Sequence, residues 1–441
     1  MKRNEKLLIL SILGIMVSAV AIYCYDKLDE NGYSVSDVGD MVMEQVKNFN
    51  SDRSDIYDDN KIIENTTSSK YQKSGSFKVT AGYKSLGNQA ERLCYKYIIQ
   101  SAEKISDNVN DSGLYDIDPV TVKNYVMDSY QIKKVLYAVQ HDHPEIFWIS
   151  SAFSYYTDKN STTLKLSSTF SKSDWQSAAN ELNKKVFNIL AKIPSGYTEY
   201  EKEMFIHNYV VENCAYASRQ TKDPKVFTSY GCLVENQAVC EGYSKAVQLL
   251  MCAAGIECRT IQGSRGNETH MWNLARINGE WYHVDATWNG KEQVNRYSYF
   301  NISDETVKKD HKIAISASEN PDGYFKNQYY NFALPACTSL KDNYFEQNAV
   351  KINKSDDLKN DTIVRKLSEI KTKRENIIYI KIADNIGLEK AKSILFSNNS
   401  NVFFDHIKNA NKSTKSGNPL NTSQIEYTEC KPQNVLAVKL F

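Results

Sequence analysis

The sequence predicts an α+β protein in which a cysteine-bearing helix packs against an antiparallel sheet, with accessory regions on either side. Three observations carry that reading. Apolar residues recur at helical spacing in "NQAERLCYKYIIQSAEKI" and in "EGYSKAVQLLMCAAG". Asn278-Gly279 joins two aromatic-rich runs, which is the signature of a two-residue hairpin. Near the C-terminus "NIIYIKIA", "SQIEYTEC" and "NVLAVKLF" read as strands around the helical "LEKAKSILF".

With 441 residues the chain is too long for one ordinary core. Its formal charge of +1 gives no electrostatic reason to expect a nucleic-acid partner. Lys2, Arg3 and Lys6 precede an uncharged apolar run from Leu7 to Tyr25, and Asp26 and Asp29 follow it. At ~1.5 Å per residue such a run just crosses a ~30 Å hydrocarbon core. The flanking charges orient the bulk of the chain outside. The expectation for 1–25 is a single-pass membrane anchor. Ala19-Val20-Ala21 resembles a cleavage site, so a cleaved signal peptide and a secreted product is the rival. Residues 26–76 are polar and aperiodic and read as a stalk.

An N-terminal accessory domain, 77–195, is expected to be mostly helical. "VTVKNYVMDSYQIKKVLYAVQHD" and "SKSDWQSAANELNKKVFNIL" carry helical spacing, and "AFSYYTD" and "TTLKLSSTF" form a strand pair around "KNS". His141 and His143 make an H-x-H, but with no third ligand in sight they read as a loop entering the aromatic pair Phe147 and Trp148. The nine cysteines show neither C-x-x-C pairs nor zinc spacing. Most therefore read as small buried hydrophobes, with a bridge from Cys232 to Cys258 or Cys252 as the alternative. Residues 338–441 read as a small α+β domain with a helix near Leu358–Lys371 and no catalytic constellation.

The central segment, 196–312, carries the chemistry. Tyr243, Val247, Leu250, Met251 and Ala254 form one apolar face of a helix that starts near Cys240 and stops at Gly255. Unpaired N–H groups at a helix start favour a thiolate there. If Asn278-Gly279 is the turn, Ile277 faces Glu280, and His270, Trp272, Asp285 and Thr287 share one side of the ribbon. His270 and Asp285 are then diagonal neighbours within side-chain reach. Cys240 as nucleophile, His270 as base and acid, and Asp285 as the residue that orients it make a complete set. The plainer alternative is that His270 and Asp285 are polar ends of a core hairpin.

"GCLVENQAVCEGYSKAVQLLMCAAGIECRTIQG" followed by "HMWNLARINGEWYHVDATWNG" resembles the bacterial transglutaminase-like superfamily in its C-x-G-Y helix start, its H-x-W-N strand and its W-Y-H-V-D-x-T-W strand. The resemblance spans roughly 200–290 and implies a papain-like core with a Cys-His-Asp triad at Cys240, His270 and Asp285. Met271 and Ala286 depart from the family, which often has a small residue and a proline there, but no reacting group is lost. The implied reaction is acyl transfer from a peptide or protein amide through a thioester, ending in hydrolysis or transamidation, with no cofactor and no metal. For the oxyanion the Cys240 N–H is a natural donor, and Tyr230 and Gln237 are candidates for a second. Trp272 is the aromatic expected to meet substrate, whereas Tyr282 and Trp288 read as core. His283 falls on the Asp285 side and competes as a base, although a structural role suits it better, and His207 suits packing. The rival functional reading is a non-catalytic surface module that holds a peptide or cell-wall component on the same fold.

Overall fold

The computed structural model describes residues 79–218, 221–292, 294–314, 332, 334–397, 402–415 and 417–441. The expected anchor and stalk lie outside the described residues. Among the described residues no helix is long and apolar enough to cross a membrane.

The chain before the central segment holds α1 (Gln89–Ser101), β1 (Ile105–Val109), β2 (Tyr115–Ile117), β3 (Val120–Lys123), α2 (Ser129–Asp142), β4 (Ile149–Thr157), β5 (Ser161–Ser168) and α3 (Trp175–Leu190). The five strands make one sheet in the order β1-β2-β5-β3, with β4 also paired to β5. The β4–β5 hairpin lies where the sequence indicates, but the helix expected from Val120 starts only at Ser129. Asp128 and Gln131 close a capping box there. The Val-Thr-Val before it is β-branched and pairs with β5 from Val120↔Leu164 to Lys123↔Ser161. Asn124, at φ 65°, turns the chain between the two elements.

The central segment is built from α4 (Glu199–Asn213), β6 (Ala215–Tyr216), β7 (Gln237–Ala238), α5 (Cys240–Ala253), β8 (Cys258–Arg265), β9 (Glu268–Ile277), β10 (Glu280–Val284) and β11 (His311–Ile313). Strands β6 and β7 pair in parallel. The other four form an antiparallel sheet in the order β10-β9-β8-β11. Asn278 and Gly279 both have positive φ, 51° and 88°, as a type I′ turn requires. That turn sets the register implied by the sequence, from Glu280↔Ile277 to Val284↔Asn273.

Tyr243, Val247, Leu250 and Met251 of α5 are buried, and Ile256 and Cys258 continue the same core. Burial of each large side chain contributes roughly 1.5–3 kcal/mol before entropy is counted. Polar ties fix the helix along the sheet. The Ser244 hydroxyl lies 2.8 Å from the Cys240 carbonyl and 2.9 Å from the Met271 carbonyl. The Asn273 amide donates to the Ser244 carbonyl at 2.9 Å. Gly242 allows the first turn to approach its neighbours, because a Cβ there would lie 2.5 Å from the Val226 carbonyl oxygen.

At the C-terminal end, β12 (Val350–Ile352), α6 (Asp361–Lys373), β13 (Ile377–Ile382), α7 (Leu388–Phe396), α8 (Val402–Ser413), β14 (Ile425–Cys430) and β15 (Val435–Leu440) form a four-stranded mixed sheet with three helices. Strand β12 runs parallel to β13, and the other pairs are antiparallel. Leu358, Leu367, Phe403 and Val438 centre its own core. The sequence reading lacked β12 and α8, which are short or framed by asparagine and serine.

Candidate active site

Cys240 is the first residue of α5 and follows extended Val239. It is the only partly exposed cysteine among the described residues; the other seven are buried and free. Burial pushes the thiols of Cys94 and Cys252 up to about 12. Cys240 instead borders a cleft of about 130 Å³ with His270, Met271 and Thr269, faced by Tyr137 and His141 of α2.

His270 lies on β9 with its ring stacked on Trp272, centroids 5.6 Å apart and planes at 16°. Its Nε2 is 2.6 Å from Asp285 Oδ2. Cys240 lines the same cleft and is one of the groups that raise His270, and with Nε2 on Asp285 it is Nδ1 that is left for the thiol. Burial alone would depress the imidazole, but the Asp285 charge and hydrogen bond, with Cys240, outweigh it and hold His270 at about 10.

Asp285 stands just past the end of β10, with its backbone N–H donating to the Tyr299 carbonyl at 2.9 Å. Its Oδ1 accepts from the N–H groups of Thr287 and Trp288 at 2.9 and 3.2 Å. Its Oδ2 is shared by two imidazoles, His270 at 2.6 Å and His311 at 3.2 Å. Burial opposes the charge on this carboxylate, yet the two imidazoles and their hydrogen bonds hold it well below the usual carboxylate range.

Cys240, His270 and Asp285 therefore come together, whereas the other expected site residues sit elsewhere. Trp272 is 1 % exposed and lies behind His270 rather than in the cleft, its Nε1 donating to His283 Nδ1 at 3.0 Å. The residues that cover it, among them Ile261, Tyr299, Ile302 and Cys337, come largely from beyond the hairpin. Tyr230 is buried against Phe147, rings 4.8 Å apart, and its hydroxyl donates to Glu181 at 2.9 Å. Gln237 is exposed on β7, opposite Ala215. Neither is among the residues that line the Cys240 cleft.

His283 has both nitrogens engaged, Nδ1 by Trp272 and Nε2 by Asp304 Oδ1 at 2.8 Å, and burial depresses it. His207 is fully buried and accepts from the Asn289 amide at 2.8 Å, and burial lowers it to about 4. Tyr282 is core, as expected. Trp288 is not: it is 43 % exposed, with the Arg265 guanidinium 3.5 Å above its ring.

Two residues beside the cysteine and carboxylate, Tyr216 and His311, are given no site role by the sequence. Tyr216 ends β6, opposite Ala238 in the strand that leads into α5, and burial and the neighbouring Cys240 raise its phenol. His311 on β11 touches Asp285 and Asp310. The potential metal-binding atoms of His270, Asp285 and His311 come within 4.8 Å of one another, as do those of His283, Asp304 and Cys337. In both groups the imidazoles are turned onto carboxylates by hydrogen bonds, so they read as polar clusters.

Residues 189–286 match the core family of the transglutaminase-like superfamily, a span that includes Cys240, His270 and Asp285. No curated protein matches the chain. Among solved structures the chain is similar to a candidate cysteine protease of Cytophaga hutchinsonii, at 12% identity over 42% of this chain and 70% of that one, with a TM-score of 0.21. It is also similar to a TGase, at 13% identity over 44% of this chain and 56% of that one, TM-score 0.22. A candidate protease of Parabacteroides distasonis shares 12% identity over 66% of this chain and 61% of that one, TM-score 0.22. The chain thus spans under two thirds of the last two proteins, and TM-scores this low carry no argument about fold or activity. The family match rests on the sequence of the central segment, where residues 189–286 carry a transglutaminase-like domain.

Proposed function

We propose that the protein is a cysteine acyl-transfer enzyme that opens peptide or protein amide bonds through a thioester on Cys240, with His270 and Asp285 completing the triad. The observation that carries this reading is that His270, held 2.6 Å from Asp285, shares one cleft with a partly exposed thiol at a helix start. The Cys240 thiolate attacks the amide carbonyl carbon. The tetrahedral oxyanion forms beside the Cys240 N–H, with the Tyr216 hydroxyl as second donor. Collapse breaks the C–N bond while His270 gives its Nδ1 proton to the departing amine. Water then loses a proton to His270 as it attacks the thioester, and the C–S bond breaks to release the acid. An amine in place of water would make the second half a transamidation. In this reading the apolar run Leu7–Tyr25 tethers the enzyme to a membrane, with the site on the extracytoplasmic side.

The test is to incubate the full-length protein with an unfolded protein substrate and a biotinylated primary amine, then map products and cysteine adducts by mass spectrometry. The expected result is an acyl adduct on Cys240 and new carboxyl termini, both lost in Cys240→Ala. Biotin incorporation would assign the amine as acceptor. Binding of the substrate with no adduct and no product would overturn the enzyme reading in favour of a binding module.

A further inference from the structure

His311 is 2 % exposed, and both ring nitrogens face carboxylates: Nε2 is 3.2 Å from Asp285 Oδ2 and Nδ1 is 2.7 Å from Asp310 Oδ1. A neutral imidazole carries one N–H and can donate to only one of them. Only the imidazolium satisfies both, and burial without that charge would leave a carboxylate oxygen facing a lone pair. Asp310 is itself anchored, since its Oδ2 accepts from the Tyr299 hydroxyl at 2.5 Å and from Arg265 Nη2 at 3.1 Å. The rings of Trp272, Tyr299 and His270 surround His311 at 5.1, 5.3 and 5.5 Å. The charged and titratable groups facing it are thus Asp285, Asp310, His270 and Tyr299, with Arg265 behind Asp310 and His283 across Trp272. Strand β11 comes this close because β8 has Gly263 opposite Ile313, where a Cβ would lie 2.1 Å from the Lys312 carbonyl oxygen.

We infer that His311 is a positioning residue of the Cys240–His270 pair: a second imidazolium on Asp285, held by Asp310, that fixes the carboxylate and limits the basicity it passes to His270. The inference rests on the triad reading above. Two cations share one oxygen of Asp285, so each feels less than its full charge. Without His311 the carboxylate would bind the His270 proton more tightly, and the proton would be given up to a departing amine less readily.

The test follows alkylation of Cys240 by iodoacetamide against pH in the full-length protein, His311→Gln and Asp310→Asn, with folding checked by circular dichroism. In the wild type the rate rises twice with pH, first as the ion pair forms and again as His270 loses its proton. In His311→Gln the second rise moves up by about one pH unit, and in Asp310→Asn it moves the same way by less. A merely structural role would lower the rate at every pH and leave the midpoint in place. A second midpoint that is unmoved, or that moves down, overturns the inference. If His311→Gln does not fold, Asp310→Asn decides by the same criterion. A wild-type Cys240 that alkylates no faster than the unfolded chain at any pH overturns the triad reading instead.

Discussion

Cys240 and Cys252 occupy opposite ends of α5, and the contrast between them separates chemistry from packing. Cys240 heads the helix, is partly exposed and borders the cleft together with His270. Cys252 is 8 % exposed in the last turn, its thiol directed at the Cys258 carbonyl 3.5 Å away, and burial pushes it up to about 12. The same side chain is thus placed beside an imidazole at a partly exposed helix start at one end and in an apolar core that disfavours its anion at the other. The histidines of the hairpin repeat the lesson. His270 and His283 are both buried beside Trp272 and both meet an aspartate. Yet His270 is held high by a buried carboxylate, whereas His283 is kept low by burial, its Asp304 partner being partly exposed.

Four tests would break or sharpen this contrast. The largest effect is expected at the two cysteines. Cys240→Ala should remove at least ~10³-fold of amide turnover, whereas Cys252→Ala should keep turnover within about threefold and cost about 1 kcal/mol in urea unfolding. Equal losses in both variants would erase the distinction. Next, Asp285→Asn should leave His270 and His311 without their shared anion. Turnover is expected to fall by about 10²–10⁴-fold, with the fold retained by circular dichroism; full turnover would remove Asp285 from the mechanism.

Gly242→Ala tests the packing that aims the thiol. It should destabilise the protein by about 1–3 kcal/mol in denaturant titration, because the added methyl meets backbone rather than a flexible side chain. The smallest expected effect is in stability against pH. His270 is raised from 6.5 to about 10, so its contribution is complete below about pH 6.5 and is lost as pH rises toward 10. His207 is lowered from 6.5 to about 4, so its unfolded form binds more protons and stability is lost as pH falls from 6.5 toward 4. Melting temperatures should therefore fall on both sides, and His207→Gln should flatten the acid side alone.

How much of this was legible in the sequence depended on how local the signal was. The Asn-Gly turn fixes its own register, so the common face of His270 and Asp285 followed from counting residues. The register puts Trp272 on the correct face, but its burial is not legible, because Tyr299, Ile302, Val307 and Cys337, which pack with it, follow no periodicity pointing to the hairpin. Tyr216 and His311 reach Cys240 and Asp285 by tertiary pairing, through β6 with β7 and β11 with β8, and neither pairing leaves a mark in a single sequence. The strand Val120–Lys123 was absorbed into a helical window because the apolar spacing after Asp128 dominates it.

The central claim of the proposed function is that Cys240 is the nucleophile and His270 activates it. Its most direct test is competitive labelling of the full-length protein with substoichiometric iodoacetamide near pH 6, below the ordinary range of a free thiol, with each modified cysteine mapped by mass spectrometry. The account expects label almost wholly on Cys240, at least ~10-fold slower in His270→Ala, with Cys252 unlabelled until the protein unfolds. Label shared evenly between Cys240 and Cys252, or a Cys240 rate that His270→Ala leaves unchanged, would contradict it.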